Sequence, residues 1–219
     1  VIGVAQTATL NTESQSVTLI YVDGTKGWQD IHDSTSNVTG IPSFIVATGG
    51  TIATCGDFKI HTFTSDGTFT IDTAPTPSNN NVSYMVVAGG AGGGANRSGG
   101  GGAGGFREGK TPATPYTASP LVAPAGLPVS VQAYPITVGA GGTAGTFSPL
   151  AKGGSGANSV FSTITSAGGG GGGTQNPSFN AGASGGSGGG GGAGNCGGAG
   201  NTPPVSPPQG NAGGNAPTP

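Results

Sequence analysis

Residues 168–173 are six consecutive glycines, and nothing else in the chain so narrows what it can fold into. A segment without side chains buries no apolar surface, yet each of its peptide groups still needs a hydrogen-bond partner. One outcome is a solvated flexible linker. The other is a set of polyproline-II-type strands, with three residues per turn and about 3.1 Å of rise per residue, packed side by side so that N–H and C=O groups pair laterally. Lateral pairing requires side chains to be absent at the contacts, hence glycine. Of the 49 glycines, eight precede residue 85 and 41 follow it. Linkers usually carry solubilising charge, whereas here no charged side chain follows Lys152, and Phe106, Phe147, Phe161 and Phe179 recur as anchors within the tract. The packed reading is therefore the expectation. A strict Gly-X-Y period is missing, which excludes collagen.

The same composition closes off other classes. Gly and Pro, the two poorest helix formers, fill 49 and 17 of the 219 positions, which excludes a helical protein. Six Lys and Arg, scattered along the chain, make no basic face for nucleic acid. A net charge of −2 does not drive disorder. No stretch of about 18 apolar residues exists to span a membrane as a helix. The chain starts at Val1, which reads as a processed or partial chain.

Seven of the eight carboxylates lie before residue 73, and the glycine excess begins near Tyr84. This division predicts four parts: an N-terminal β segment (1–40), β hairpins (41–84), a glycine-rich domain (85–200) and a Pro/Gly-rich extended tail (201–219) that continues past the chain end. Val17 to Val22, followed by Asp23-Gly24, reads as a strand and turn, with Trp28 to Asp33 returning on buried Trp28 and Ile31. Phe44 to Thr48 and Thr51 to Cys55 flank Gly49-Gly50 as a second hairpin; Phe58 to Thr64 and Thr68 to Ile71 make a third. Three later strands, ending at Ala88, Val138 and Ala167, each run straight into glycine. Their unequal spacing argues against a solenoid. The fold class expected is all-β: short antiparallel strands in a β-sandwich or trimeric β-assembly, with polyproline-II-like glycine-rich loops and a Pro-rich tail.

Chemistry-bearing motifs are sparse. Gly104 to Thr111 spells G-x-x-x-x-G-K-T, the phosphate-loop pattern. Its mechanism needs a strand just before and a helix just after. The nearest strand ends sixteen residues earlier, at Ala88, and Pro112 and Pro115 sit where the helix would start, so no nucleotide partner is expected through Lys110. His32 and His61 read as strand residues, and Asp30, His32 and Asp33 beside Trp28 as a solvated turn. Cys55 and Cys196 are far apart, and whether they pair is open. No catalytic, cofactor or metal constellation emerges. A contact surface is expected on the glycine-rich loops 89–105 and 168–200, marked by Gly89, Gly105, Gly168, Phe179 and Gly200.

An ordered series of motifs carries a resemblance. KIHTFTSDGTFTI (59–71) is followed by VSYMVVAGGAGGG (82–94) and GGAGGFREG (101–109), then by ASPLVAPAGLPVSVQAYPITVGAGG (118–142) and GANSVFSTITSAGGGGGG (156–173). The series resembles the glycine-rich domain of tail-fibre and adhesin-like structural proteins of tailed bacteriophages, and VTLIYVDGTKGWQDI (17–31) is similar to the β segment that often precedes it. The resemblance implies a non-enzymatic virion fibre component, homotrimeric, without cofactor or nucleic acid. Its partners would be other tail or baseplate proteins and a host-surface glycan or outer-membrane protein. Some such adhesins pack their tips as polyglycine-II bundles; here the tracts depart from that pattern through interruptions by Phe, Asn and Ser. The alternative expectation is a self-assembling extracellular filament or bacterial surface protein.

Overall fold

The computed structural model describes residues 17–23, 27–33, 44–75, 80–178 and 180–217. The chain divides into two compact units, Val1–Ser43 and Phe44–Pro219. In the first, β1 (Val17–Asp23) and β2 (Gly27–Asp33) form the expected antiparallel hairpin, with Tyr21 opposite Trp28. The side chains of Trp28, Asp30, Ile31, His32 and Asp33 lie outside the described residues.

The second unit is all-β, with no helix among the described residues. Its strands are β3 (Val46–Thr48), β4 (Thr51–Cys55), β5 (Phe58–Thr62), β6 (Gly67–Thr73), β7 (Asn81–Val82), β8 (Tyr84–Val87) and β9 (Phe106–Gly109). They continue with β10 (Val122–Ala123), β11 (Leu127–Pro128), β12 (Ala133–Thr137), β13 (Ser159–Phe161) and β14 (Ile164–Ser166). One antiparallel sheet has the order β14-β13-β12-β6-β3; a second has the order β10-β9-β8; β4-β5 and β11-β7 stand as pairs, and none closes into a barrel. Because β6 pairs with β12, strands from both sides of residue 84 share a sheet.

Two of the expected hairpins pair differently. β3 joins β6, and β4 joins β5, so Gly49-Gly50 passes the chain between sheets instead of closing a hairpin. Both glycines have positive φ, and a Cβ on Gly49 would overlap the carbonyl of Thr68. The turn that closes β4 onto β5 is Gly56-Asp57, with Gly56 at φ 57°. Ser162, at φ 54°, likewise splits the predicted strand 160–167 into the hairpin β13–β14.

Strand alternation builds the core. Along β6, Phe69 and Ile71 point inward and their neighbours outward; Ala47, Val129, Tyr134 and Phe161 complete the cluster. Phe161 stands edge-on to both Phe69 (5.8 Å) and Tyr134 (6.0 Å), the favoured aromatic geometry. The Tyr134 hydroxyl accepts from Ser130 N–H (2.8 Å) and from Gln132 Nε2 (2.8 Å). Burial alone would raise its pKa; the bonds from Ser130 and Gln132 outweigh that and leave it below the ordinary tyrosine value.

From the sheets the chain passes into extended glycine-rich segments, here numbered in chain order: run I (88–95), run II (99–105), run III (139–145), run IV (151–158), run V (167–174), run VI (180–186), run VII (187–192), run VIII (195–200) and run IX (209–216). β8 feeds run I, β12 feeds run III and β14 feeds run V, as the three strand-to-glycine junctions predicted. The backbone bonds between runs repeat every third residue. Ala88, Ala91 and Gly94 of run I donate to Gly105, Gly102 and Gly99 of run II; Gly89 and Gly92 donate to Ala157 and Gly154 of run IV. A three-residue repeat is the signature of the polyproline-II helix, not of the two-residue strand. Pairings place runs III-I-II in one layer, IV-V-VII-IX in the next and VI-VIII in a third, each bonded to the layer beside it.

Run V lies at the centre, and every residue from 166 to 174 is buried. Gly169 and Gly172 donate to run I, and Gly170 and Gly173 to run VII. Carbonyls of Ala167, Gly170 and Gly173 accept from run II, those of Gly168 and Gly171 from run VI, and those of Gly169 and Gly172 from run IV. Glycine serves close approach here. A Cβ on Gly169, Gly170, Gly171 or Gly172 would overlap a neighbouring carbonyl oxygen, and none of the glycines within the runs has positive φ; Gly194, which does, lies in the turn between runs VII and VIII. The interruptions do not break the packing: Asn96, Phe147 and Asn176 fall in turns between runs, while Asn158, Asn180, Asn195, Asn211 and Asn215 are carried within runs.

The expected extended tail folds back. Asn201, at φ 48°, accepts through Oδ1 from the N–H groups of Val205 and Gln209, which curls 201–208 into a compact loop. Run IX then rejoins the packing against runs VII and VIII.

Candidate functional site

Within the bundle, the run directions decide which residues reach the end far from the sheets. Runs I, III, V, VII and IX are parallel, leading away from the sheet end where β8, β12 and β14 feed the first three; the others return. Four turns therefore gather at the end far from the sheets: 96–98, 146–150, 175–178 and 193–194. Backbone bonds tie three of them together, from Gln175 N–H to Asn96 O (3.2 Å) and from Ala193 N–H to Arg97 O (3.2 Å). The 146–150 turn is closed by a bridge between Phe147 and Leu150 and by Thr146 Oγ1 donating to Pro149 O (2.5 Å).

This end carries the side chains that the runs exclude. Phe147 is 74% exposed. Arg97, Gln175, Pro177 and Ser178 are also exposed, as is Lys152 at the start of run IV. Asn96 and Arg97 take left-handed φ values of 61° and 44°, which turn run I into run II and stand the Arg97 side chain outward. Asn176 folds the next turn by accepting Ser178 N–H at its Oδ1 (2.9 Å). Two cations and an exposed aromatic ring, with no carboxylate anywhere after Glu108 in the sequence, suit hydroxyl-rich or anionic surfaces.

The glycines expected to mark the contact loops occupy other places. Gly89, Gly105 and Gly168 are buried at the sheet end of the packing, where their N–H groups donate to Ala157 O, Ala167 O and Asn158 Oδ1. Gly200 is half-buried beside Asn211; Phe179 lies outside the described residues. Glycine abundance pointed to the interior, while the outward-facing chemistry sits at the breaks in glycine: Asn96-Arg97, Phe147 and Gln175-Asn176.

The phosphate-loop match has a different structure from that motif. Gly105 and Phe106 donate their N–H groups to Ala167 O and Gln209 O, and Phe106–Gly109 is strand β9. The Lys110 ammonium stands 5.6 Å from the centre of the Tyr116 ring. Glu108, 5% exposed, accepts Ser119 N–H at Oε2 (3.0 Å). Burial pushes its carboxyl pKa up, but bonds from Ser119 and Tyr116 and the charge of Lys110 prevail and hold it below the usual value. Burial and Glu108 push Tyr116 up to about 12. The group clamps segment 110–121 onto β9.

Cys55 and Cys196 are both free and exposed. His61 belongs to the fold: Nδ1 lies 2.8 Å from Gly49 O, and its ring meets Phe69 edge-on at 5.0 Å. Among the described residues no group of His, Cys, Asp and Glu could hold a metal ion.

A fold of short sheets feeding a packed glycine bundle defines a class of glycine-rich structural domain. The glycine-rich domain family matches residues 63–218, well over half of the chain, and the chain belongs to that family. No curated protein and no solved structure matches it.

Proposed function

We propose that this chain is a non-enzymatic structural component of a bacteriophage tail fibre or similar virion appendage, and that its far-end turns touch the host surface. The observation that carries this reading is the segregation of side chains. The packed runs are mostly glycine and alanine with small polar residues between, and within the bundle exposed Phe147, Arg97, Lys152 and Gln175 collect at one end. A bundle held by uncharged peptide groups is insensitive to salt and offers a protease little extended backbone, which suits an extracellular appendage. The resemblance of the motif series to tail-fibre and adhesin-like proteins supports the virion reading. The partners would be further copies of the chain in a homotrimer, neighbouring tail or baseplate proteins, and a host-cell glycan or outer-membrane protein.

The test is adsorption by otherwise intact particles carrying Arg97→Ala together with Phe147→Ala. Losing two contact residues at about 1–2 kcal/mol each lowers adsorption at least about tenfold, with particle assembly unchanged. Unaltered adsorption would sink the contact assignment. Immunogold labelling along a uniform cell-surface filament, instead of at virion tails, would replace the whole reading with the filament one.

A further inference from the structure

We propose that Ser155 and Asn158 plug an unfilled run position beside run V, and that clearing the plug turns this position into a docking site for a glycine run of a second copy of the chain. The hydrogen bonds of run V define its surroundings. Going around it, run I bonds to run II, run II to run VII, run VII to run VI, and run IV to run I. Among the described residues no bond joins run VI to run IV. The ring of neighbours is open there and nowhere else.

The gap faces one row of donors. The N–H groups of run V point in three directions, repeating every third residue: 169 and 172 to run I, 170 and 173 to run VII, and 168 and 171 into the gap. The four donors named in the first two rows end on backbone carbonyls; only Ala167, at the start of the run, donates to another side chain, Gln209 Oε1. The third ends on side chains of run IV: Gly168 N–H donates to Asn158 Oδ1 (2.9 Å), and Gly171 N–H makes a longer bond to Ser155 Oγ (3.4 Å). Ser155 and Asn158 are themselves three apart and exposed, while Gly168 and Gly171 are buried. Two side chains thus do the work that a run's carbonyls do elsewhere around run V.

The occupant follows from the spacing and from the steric rule. Donors three residues apart match the repeat of a polyproline-II helix and mismatch a β-strand, whose bonds recur every second residue. A run this close to run V must be mostly glycine, as its existing neighbours are, with Ala183 and Ser187 as the exceptions among the residues whose backbone bonds to it. Uncharged glycine runs of this kind are what the chain itself contains, so the second copy is the partner. An exposed row of backbone donors is a template for adding another chain, and edges of that kind are commonly blocked by side chains.

The experiment compares the wild type with S155A/N158A and S155G/N158G by amide hydrogen exchange and by light scattering across a concentration series. In the alanine pair the acceptors are gone but the methyl groups still bar a run. Exchange at Gly168 and Gly171 should rise at least tenfold, with the mass of the wild type. In the glycine pair the position is open: mass should increase with concentration beyond the wild type, and protection at Gly168 and Gly171 should return in the associated form. Unchanged exchange at these amides in the alanine pair would overturn the plug. A glycine pair with the wild-type mass, or an alanine pair that associates equally, would overturn the docking site. Simultaneous loss of protection at Gly170 and Gly173 would show that the side chains hold the whole bundle and not one position, and would also overturn it.

Discussion

The sheet region and the glycine bundle of one compact unit solve the burial problem in opposite ways. Around Phe69, Ile71, Tyr134 and Phe161, side chains fill the interior and the backbone pairs along strands. Around run V, the backbone itself fills the interior and pairs in several directions at once. The first region tolerates a change of shape if volume is conserved. The second tolerates no added atom at its centre, but has no shape to conserve. The difference shows where specificity is stored: in side-chain fit on one side, in the accounting of N–H and C=O groups on the other.

The largest effect should come from adding one methyl group to the bundle's centre. In Gly171→Ala the new Cβ overlaps the carbonyl oxygen of Gly153, and only movement of a whole run relieves it. A loss of about 4 kcal/mol or more is expected, at the exceptional end for a point change, with a fall in Tm of about 10 °C or more by calorimetry. If Gly171→Ala melts like the wild type, the bundle does not pack as described.

The opposite change, removing a packed apolar side chain, should hurt only the sheets. Phe161→Ala deletes the ring between Phe69 and Tyr134 and should cost about 3 kcal/mol in denaturant unfolding. Protection of the run V amides from exchange should outlast that of the β12 and β13 amides in this variant; simultaneous loss would mean that the two regions are one cooperative unit.

Gln209 sharpens the comparison because it is a side chain inside the bundle. It is 2% exposed, accepts Ala167 N–H at Oε1 (2.8 Å) and donates from Nε2 to Pro203 O (2.9 Å). Gln209→Ala orphans a buried N–H and should cost about 2 kcal/mol.

A smaller effect concerns pH. The folded pKa of Glu108 lies below its ordinary value of 4.5, so the unfolded chain takes up the proton more readily. Its contribution is complete above about pH 4.5 and is lost as pH falls through the folded value. Glu108→Gln should flatten that acid limb of the stability curve in proportion. The smallest effect of all is expected at Gly100, where a Cβ would meet nothing within 4 Å: Gly100→Ala should change stability by no more than about 0.5 kcal/mol.

Much of this was legible in the residues. The hairpin of β1 and β2 and the strand-to-glycine junctions at Ala88, Val138 and Ala167 follow from β-branched runs meeting glycine. The partners of β3 to β6 do not, because Gly49-Gly50 and Gly56-Asp57 carry equally good turn signals, and only tertiary packing selects the second as a hairpin. The lateral order of the runs was illegible for a deeper reason: one glycine stretch is chemically the same as another. The exposed turn residues are easier to read: Arg97 and Gln175 fall within the expected loops 89–105 and 168–200, and with Phe147 they stand out as interruptions of glycine.

The three-residue repeat has one further consequence. Sliding a run along its neighbours by one turn, about 9 Å, restores an equivalent set of backbone bonds, so the interior by itself resembles a ruler without numerals. The numerals must be written at the ends. Asn96, Ser162 and Asn201, in their left-handed conformations, and Gln209, seated on Ala167, fix where each run begins. A chain of this kind should therefore misfold by slippage of whole turns before it misfolds by unfolding, and its few non-glycine residues are what keep it in step.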